Sequence, residues 1–153
     1  KFSAYLAAGC LSPKLIYYEV KKYEQERTKN KSTYWLIFEL LWRDFFRFMG
    51  KKHGNNIFKL SGTKRDLEYS GSESMALFNK WSEGKTGIPF IDANMIELNT
   101  TGFMSNRGRQ NVASFLINDM KMSWLMGAEY FESMLIDYDP CSNYGNCWCL
   151  HDC

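Results

Sequence analysis

Apolar residues recur at helical spacing from the first part of the chain onward. Ser12 and Pro13 form a typical helix start, with serine as the N-cap and proline at the first helical position. Ile16, Val20 and Tyr23 follow at i, i+4 and i+7, so they share one helix face. The polar residues that come next predict the end of this helix and a solvated linker.

A second helix is predicted from a cap at Ser32 or Thr33 to about Gly50, and it is apolar on nearly every side. A helix of this kind belongs in the middle of a larger body rather than at its surface. One stripe along it is strongly aromatic and consists of Trp35, Phe38, Trp42, Phe45 and Met49.

The remaining pattern is also helical, with breaks. Residues 51–72 are rich in Lys, Gly and Ser and predict a loop. Asp139-Pro140 and Gly145 predict an irregular loop after the last helix. We find no internal repeat and no strand pattern, so the predicted fold class is all-α, a helical bundle. Its later helices are predicted at about 74–82, 90–98, 106–121 (capped by Ser105 or Asn106) and 125–135.

The composition fits a folded domain with a well-filled interior. Of 153 residues, 45% are hydrophobic and 24% are charged, which excludes a disordered chain, and 16% are aromatic. The net charge of +2 is too small to indicate nucleic-acid binding by itself, so a DNA interface must rest on locally placed arginines. No run of about 18 apolar residues exists, so no membrane span is expected.

The cysteines exclude a secreted disulfide framework. There are five, an odd number, and four of them lie in the last thirteen residues. We therefore expect an intracellular, reducing compartment. The one-residue gap between Cys147 and Cys149 does not match the two-to-four spacer of zinc sites, so no metal site is predicted. We expect residues 147–153 to be a Cys-rich tail that follows a domain at 1–146.

Two arginines stand at the start of a predicted helix, where their charge is unfavourable for the helix dipole. Arg107 and Arg109 therefore indicate either an anion that comes to meet them, phosphate or carboxylate, or an ion pair with a distant Asp. Glu39 and Arg43 lie at i, i+4 in the most apolar helix. They are either a buried structural pair or part of a cavity wall.

Two carboxylates, Asp137 and Asp139, flank Tyr138 at the end of a predicted helix. A calcium loop is excluded because the sixth position is Ser142 rather than Gly and the twelfth is Trp148 rather than Glu. A turn cap is one interpretation. The other is hydrogen bonding to a ligand ring, or pairing with the arginine cluster.

Taken together, these segments resemble the flavin-binding half of the cryptochrome/DNA photolyase family. Residues 103–110, which include Phe103, Ser105 and the sequence Gly108-Arg109-Gln110, are similar to the DASH branch of that family. The matching stretches run in order along almost the whole chain, at 2–6, 9–13, 38–46, 81–87, 92–95, 101–116, 127–132, 135–139 and 139–146.

The resemblance implies a partial FAD-binding catalytic domain over residues 1–146. By position, Ser3 would contact the flavin's phosphates and Arg109 would form a salt bridge with Asp137 beside the isoalloxazine. Tyr138 would belong to the same pocket, Asp139 would hydrogen-bond the ring's polar edge, and Asn143 would face the ring nitrogen that takes up a proton.

The resemblance further implies a deoxyribodipyrimidine photo-lyase as the parent. Its photoexcited reduced FAD would give an electron to a pyrimidine dimer flipped into the cavity, mainly in single-stranded DNA. Glu39 and Trp42 would contact the lesion, Arg43 would line the wall between DNA and flavin, and the DNA would also be met by Asn106, Arg107 and Gln110.

Trp124 matches the middle member of the family's electron-transfer chain of three tryptophans. The flavin-proximal position, four after Asn143, is Cys147, with Trp148 one residue late. The distal position falls near Gly71, with Tyr69 the nearest aromatic. These departures weaken photoreduction of the flavin.

The alternative functions are a blue-light photoreceptor or DNA-binding flavoprotein without repair, and an inactive truncated fragment. An antenna folate, methenyltetrahydrofolate, is expected only in a full-length parent. The expected state is a monomer without a membrane partner. The expected location is a plastid or mitochondrion if the chain is of the plant DASH type, and otherwise the cytoplasm or nucleus.

Overall fold

The computed structural model describes residues 2–62 and 71–151, with side chains up to residue 147. Within these ranges the chain forms eight α-helices and no strand, with one isolated bridge between Ser72 and Met122. The predicted all-α fold class is confirmed. The helices are α1 Ser3–Ala7, α2 Pro13–Glu26, α3 Lys31–His53, α4 Met75–Ser82, α5 Pro89–Thr101, α6 Asn106–Ser114, α7 Trp124–Met134 and α8 Pro140–His151.

The first two long helices begin with side-chain caps. Ser12 caps α2 as predicted, because its Oγ accepts a hydrogen bond of 3.1 Å from the backbone N–H of Leu15. The predicted cap of α3 was wrong, since Asn30 fills that role. Its Oδ1 accepts from the amides of Ser32 and Thr33, and Thr33 Oγ1 accepts from the Asn30 amide in return. This reciprocal capping box satisfies donors that the first turn leaves unpaired.

The loop predicted at 51–72 begins with helical structure, and its residues 63–70 lie outside the described residues. Helix α3 continues to His53 and is followed directly by a 3-10 turn, Gly54–Phe58. The turn buries Ile57, and this burial favours an ordered structure over the solvated loop that the Lys- and Gly-rich composition predicted.

The helix predicted from about 106 to 121 ends earlier, at Ser114, and continues as a π turn, Phe115–Asp119. Ser105 is the cap, because its Oγ accepts from the Gly108 amide at 3.1 Å. The wider π turn still buries Leu116 and Ile117 in the core.

The region after α7, predicted as an irregular loop, is the helix α8. Asp139 and Pro140 give the same start signal as Ser12 and Pro13, since Asp139 Oδ2 accepts from the Ser142 amide at 3.0 Å. Gly145 does not break the helix. It lies where α8 crosses α3, and a Cβ there would overlap the ring of Phe46.

The buried residues form two clusters of unequal size. Helices α2 and α3 share a small one, made of Ile16, Val20 and Leu40. Helices α4 to α8 enclose a large one that includes Trp81, Met95, Leu98, Met104, Val112, Leu116, Met122, Trp124, Ala128 and Phe131. Although α3 is apolar on many sides, no helix among the described residues combines the length and apolar content that crossing a membrane requires.

Candidate functional site

A cavity of about 540 Å³ lies between α1, α3, α6 and the start of α8. Its walls include most of the polar side chains that the sequence singled out. A smaller pocket of about 80 Å³ shares several of the same walls and reaches further along α8. The shared residues are Asn106, Arg109, Gln110, Asp137, Asp139, Ser142 and Asn146.

An ion pair between a half-buried arginine and a buried carboxylate joins the start of α6 to the segment between α7 and α8. Arg109 Nη2 lies 2.9 Å from Asp137 Oδ1 and 2.8 Å from Oδ2, and the Asp137 side chain is only 1% exposed. Arg109 Nε donates to the backbone carbonyl of Met104 at 2.9 Å, and its guanidinium lies over the ring of Phe103. These contacts hold the guanidinium in one orientation. Of the two interpretations of the arginine cluster, the ion pair with a distant Asp is the one found for Arg109.

The second carboxylate, Asp139, has a different role from the first. Its Oδ2 caps α8, accepting from the amide and the hydroxyl of Ser142 at 3.0 and 2.6 Å. Its Oδ1 lies 3.6 Å from Nη2 of Arg47 on α3. The turn-cap interpretation therefore fits Asp139, and its other oxygen remains on the cavity wall beside an arginine.

Helix α8 turns Asn143 and Cys147 toward the small pocket. Asn143 Nδ2 donates to the carbonyl of Ala128 at 2.9 Å, which fixes the amide against α7. Cys147 is buried, and burial raises the pKa of its thiol to about 12. The wall position that the resemblance assigned to a tryptophan is thus a neutral, inert thiol at physiological pH.

Two tyrosines beside this wall share one carboxylate. The Tyr144 hydroxyl donates to Glu132 Oε2 at 2.6 Å. Burial, then the nearby charge of Glu132, raises the pKa of Tyr138 to about 12. The same causes, burial first, raise the pKa of Tyr144 further. Both phenols stay protonated at physiological pH, and Tyr138 lines the small pocket.

The wall formed by α3 carries Glu39, Trp42 and Arg43. Glu39 is exposed and Arg43 is half-buried. Within the described residues the two form no ion pair, so they are not a buried structural pair. Both line the cavity.

Asn106 and Gln110, one helical turn apart on α6, line both cavities. Arg107 is exposed and is not among the lining residues; its Nη1 donates to Gln110 Oε1 at 3.2 Å. Ser3 is half-buried at the first position of α1 and lines the larger cavity. Among the predicted binding residues, Arg107 therefore stands apart.

Trp124 lies behind the cavity rather than on its wall. It is buried, and its Nε1 donates to the carbonyl of Leu60 at 3.0 Å. Tyr69, and the side chains of Trp148 and of the last cysteines, lie outside the described residues. In the part of the chain that is described, no three His, Cys, Asp or Glu side chains converge as a metal site.

Several wall residues were not nominated from the sequence. Ser142 could have been found, because it stands three residues after Asp139 in a capping pattern. Cys147 was recognised as a departure but not as a wall residue. Phe46, Met104 and Asn146 gave no signal, since only packing brings them to the cavity.

Comparison with known proteins identifies the family of this chain. The family model for the FAD binding domain of DNA photolyase matches residues 35–151. Cryptochrome DASH of Danio rerio and the chloroplastic/mitochondrial cryptochrome DASH of Arabidopsis thaliana are each 60% identical to the chain over 95% of its length. The chain spans only 28% and 26% of these two relatives.

The fold agrees with these relatives. The crystal structure of a cryptochrome from Synechocystis sp. superposes on 99% of the chain with a TM-score of 0.96 and 59% identity, and the chain covers 31% of that structure. The resemblance to the DASH branch is confirmed. From its sequence and its helical framework alike, the chain belongs to the family of the FAD-binding domain of DNA photolyases and cryptochromes.

Proposed function

We propose that this chain holds FAD in the cavity between α1, α3, α6 and α8, as part of a DASH-type flavoprotein that repairs cyclobutane pyrimidine dimers with blue light. One observation carries the proposal. Arg109, paired with both oxygens of the buried Asp137 carboxylate, forms part of the cavity wall, inside a domain whose family is named for FAD binding. Burying a charged group costs free energy, and contact with a bound ligand would explain why this one lies in the cavity wall.

The residues present fit FAD. A volume of about 540 Å³ falls within the range of roughly 300–1,000 Å³ that small-molecule sites occupy. The walls combine apolar side chains, Phe46 and Met104 among them, with a few polar groups at fixed positions. An aromatic ring with one polar edge needs this combination of surfaces.

The wall residues would hold the flavin in the roles that the family resemblance implies. Arg109 and Asp137 would lie beside the ring system, and Asp139 would accept a hydrogen bond from its polar edge. Asn143, whose Nδ2 is held by its bond to Ala128, would face the ring nitrogen that takes up a proton. Ser3, at the first turn of α1, would contact the phosphates, and Tyr138 would belong to the same pocket.

The DNA contacts come from α3 and α6. Glu39 and Trp42 meet the flipped lesion, with Trp42 offering a face on which a base can stack. Arg43 lines the wall between lesion and flavin. The strand itself is met by the start of α6, where Asn106, Arg107 and Gln110 lie. FAD, when bound and photoexcited in its reduced form, supplies the electron that splits the dimer.

The proposal also covers the substrate, the oligomeric state, the antenna and the location of the protein. The preferred substrate is single-stranded DNA, and the chain acts as a monomer. A folate antenna belongs to a longer parent. The Arabidopsis relative is named chloroplastic/mitochondrial, so a plastid or mitochondrion is the proposed location for a plant protein.

A second candidate is a light-responsive flavoprotein that binds DNA without repairing it. The observation that favours it is Cys147, a protonated thiol on the wall where the family pattern has an aromatic electron donor. Poor flavin reduction would leave binding intact and repair weak.

The test begins with the absorption spectrum of the purified chain and the flavin that denaturation releases. We expect one FAD per chain. Arg109→Ala and Asp137→Ala should each reduce FAD occupancy to background. The first leaves the buried Asp137 carboxylate unpaired, and the second releases the Arg109 guanidinium from its place on the wall. Light-dependent repair of dimer-containing single strands then separates repair from binding alone.

The matched control is Lys85→Ala. It removes an exposed ion pair with the same 2.8 Å distance, between Lys85 Nζ and Glu83 Oε2. Exposed pairs contribute little because water screens them, so FAD occupancy should not change. Full occupancy in both cavity variants would contradict the proposed pocket.

A further inference from the structure

Behind the flavin cavity, two buried redox-active rings touch each other. Trp124 on α7 and Tyr144 on α8 are both buried, and their ring centroids are 6.3 Å apart in an edge-to-face arrangement. Tyr144 is next in sequence to Asn143 and three residues before Cys147, and both of these line the small pocket. Both rings belong to the same buried cluster as Phe131, Leu135 and Cys147, which line the small pocket.

The two rings differ in where their protons can go. Trp124 Nε1–H donates to a backbone carbonyl, that of Leu60, which is a poor base. The Tyr144 hydroxyl donates to a carboxylate at 2.6 Å, and Glu132 itself is exposed to solvent. Of the two rings, only the tyrosine can lose its proton when it loses an electron.

We propose that Tyr144 and Glu132 form a proton-coupled electron donor to Trp124. The proposal rests on the proposed function, because its oxidant is the photoexcited oxidised flavin in the cavity. Through this pair the chain would supply electrons to the flavin although Cys147 stands where the family pattern has an aromatic donor.

Two electron transfers and one proton transfer make up the reaction. One electron passes from Trp124 to the photoexcited oxidised flavin and leaves a tryptophan radical cation. One electron then passes from Tyr144 to that cation and restores neutral Trp124. At the same time the O–H bond of Tyr144 breaks and its proton binds Glu132, which gives a neutral tyrosyl radical and a protonated carboxyl group. The exposed carboxyl group exchanges this proton with water.

The chain offers a matched control for this geometry. Tyr130 also touches a buried tryptophan, Trp81, with centroids 5.6 Å apart. Its hydroxyl donates at 2.6 Å to the amide oxygen of Asn99, which is not a base. Tyr130→Phe therefore removes a tyrosine hydroxyl from the same kind of ring pair, but one in which no base can take up the proton.

The experiment compares the whole chain with Tyr144→Phe, Glu132→Gln and Tyr130→Phe, in water and in deuterium oxide. Radicals are followed by transient absorption and electron paramagnetic resonance after two kinds of flash. Blue light excites bound FAD. Ultraviolet light photoionises tryptophan directly, without flavin, so it tests the step from tyrosine to tryptophan even where no FAD is bound.

We expect a tyrosyl radical that forms as a tryptophan radical decays, more slowly in deuterium oxide. Tyr144→Phe should abolish this tyrosyl-radical signal, and Tyr130→Phe should leave it unchanged. Glu132→Gln keeps the packing but removes the base, so the signal should form roughly 10²-fold more slowly. A purely structural bond between α7 and α8 would change stability but not these signals.

Other results would contradict either the electron-donor proposal or the proposed FAD binding. The proposal is wrong if the tyrosyl-radical signal after the ultraviolet flash is the same in Tyr144→Phe and in the unmodified chain. It is also wrong if this signal forms at the same rate in deuterium oxide, or if Glu132→Gln does not change its rate. If FAD binds and blue light gives equal tyrosyl signals with and without Tyr144, the proposal is also wrong. Absence of FAD in every variant overturns the proposed function and removes flavin as the oxidant, whereas the ultraviolet flash still decides whether Tyr144 donates to Trp124.

Discussion

Helices α4 to α8 enclose most of their large apolar side chains, whereas α1 to α3 leave most of theirs exposed. In the α4–α8 region, Trp81, Met95, Leu98, Met104 and Met122 are completely buried. The α1–α3 region buries only a few apolar side chains and exposes a series of aromatic and aliphatic ones, among them Tyr18, Tyr34, Trp35, Leu41, Trp42, Phe45 and Phe48.

The difference shows how the cavity is built. The larger core holds Arg109, Asp137 and Asn143 in place, because α6, α7 and α8 are all anchored in it. The α1–α3 region supplies the opposite wall and is attached to the core chiefly where α3 crosses α8. One wall is therefore anchored in the larger core, and the other is joined to that core mainly where α3 and the 3-10 turn Gly54–Phe58 meet α8.

The sharpest way to test this comparison is to truncate one tryptophan in each region. Trp81 is 0% exposed and its Nε1 donates to the carbonyl of Val112 at 3.0 Å, whereas Trp35 on α3 is 52% exposed. Trp81→Ala should lower the free energy of unfolding by about 3–5 kcal/mol, since it leaves a cavity in a closed core. Trp35→Ala should cost about 1 kcal/mol or less, because it loses only ring contacts at the surface.

Denaturant titration followed by circular dichroism measures both variants against the unmodified chain. Similar losses in the two variants would mean that the regions are equally well packed, and the comparison would then be wrong.

A smaller effect is expected at the helix crossing. Gly145→Ala places a methyl group against the ring of Phe46. We expect overpacking to cost about 1–3 kcal/mol. The roughly 1 kcal/mol by which alanine is favoured over glycine within a helix offsets part of this cost, so the net result should be a modest loss of stability. FAD occupancy should fall together with stability, because the cavity walls separate.

The control is a double-mutant cycle. In a chain that already carries Phe46→Leu, the smaller side chain leaves room for the methyl group, so Gly145→Ala should cost much less. Equal costs in the two backgrounds would show that the crossing is not the contact point.

The smallest effect is expected at the helix caps. Asn30→Ala removes the capping box of α3 and should cost about 1 kcal/mol. Ser74 occupies the N-cap position of α4 but makes no side-chain capping bond, so Ser74→Ala should be close to neutral. Thermal unfolding of the two variants measures the contrast, and equal melting temperatures would contradict the assigned caps.

Much of the helical framework could be predicted because its signals are local. The start of α2 at Ser12 and Pro13, the helix entered through Pro89 and the approximate span of α7 follow from caps and apolar spacing. Confirmation of the family followed from long matching stretches rather than from any single motif.

Other features could not be predicted because they depend on distant packing. Gly145 looks like a helix breaker until Phe46 lies beside it, and then glycine is the residue that lets α3 and α8 approach. Asn30 was overlooked as a cap because Ser32 and Thr33 offered equally good local signals. The roles predicted for the cavity residues remain predictions that FAD binding and repair will decide.

By itself, the sequence determined the helical fold class, the family and the residue types available for a flavin and a DNA lesion. The family resemblance also implied the pairing of Arg109 with Asp137, which the structure shows. Only the tertiary structure decided that Asp139 caps α8 and that Tyr144 lies between Trp124 and a carboxylate. The physical reason is range. Helix propensity and capping act within about one turn, whereas the choice of a charged or aromatic partner depends on how separate helices pack.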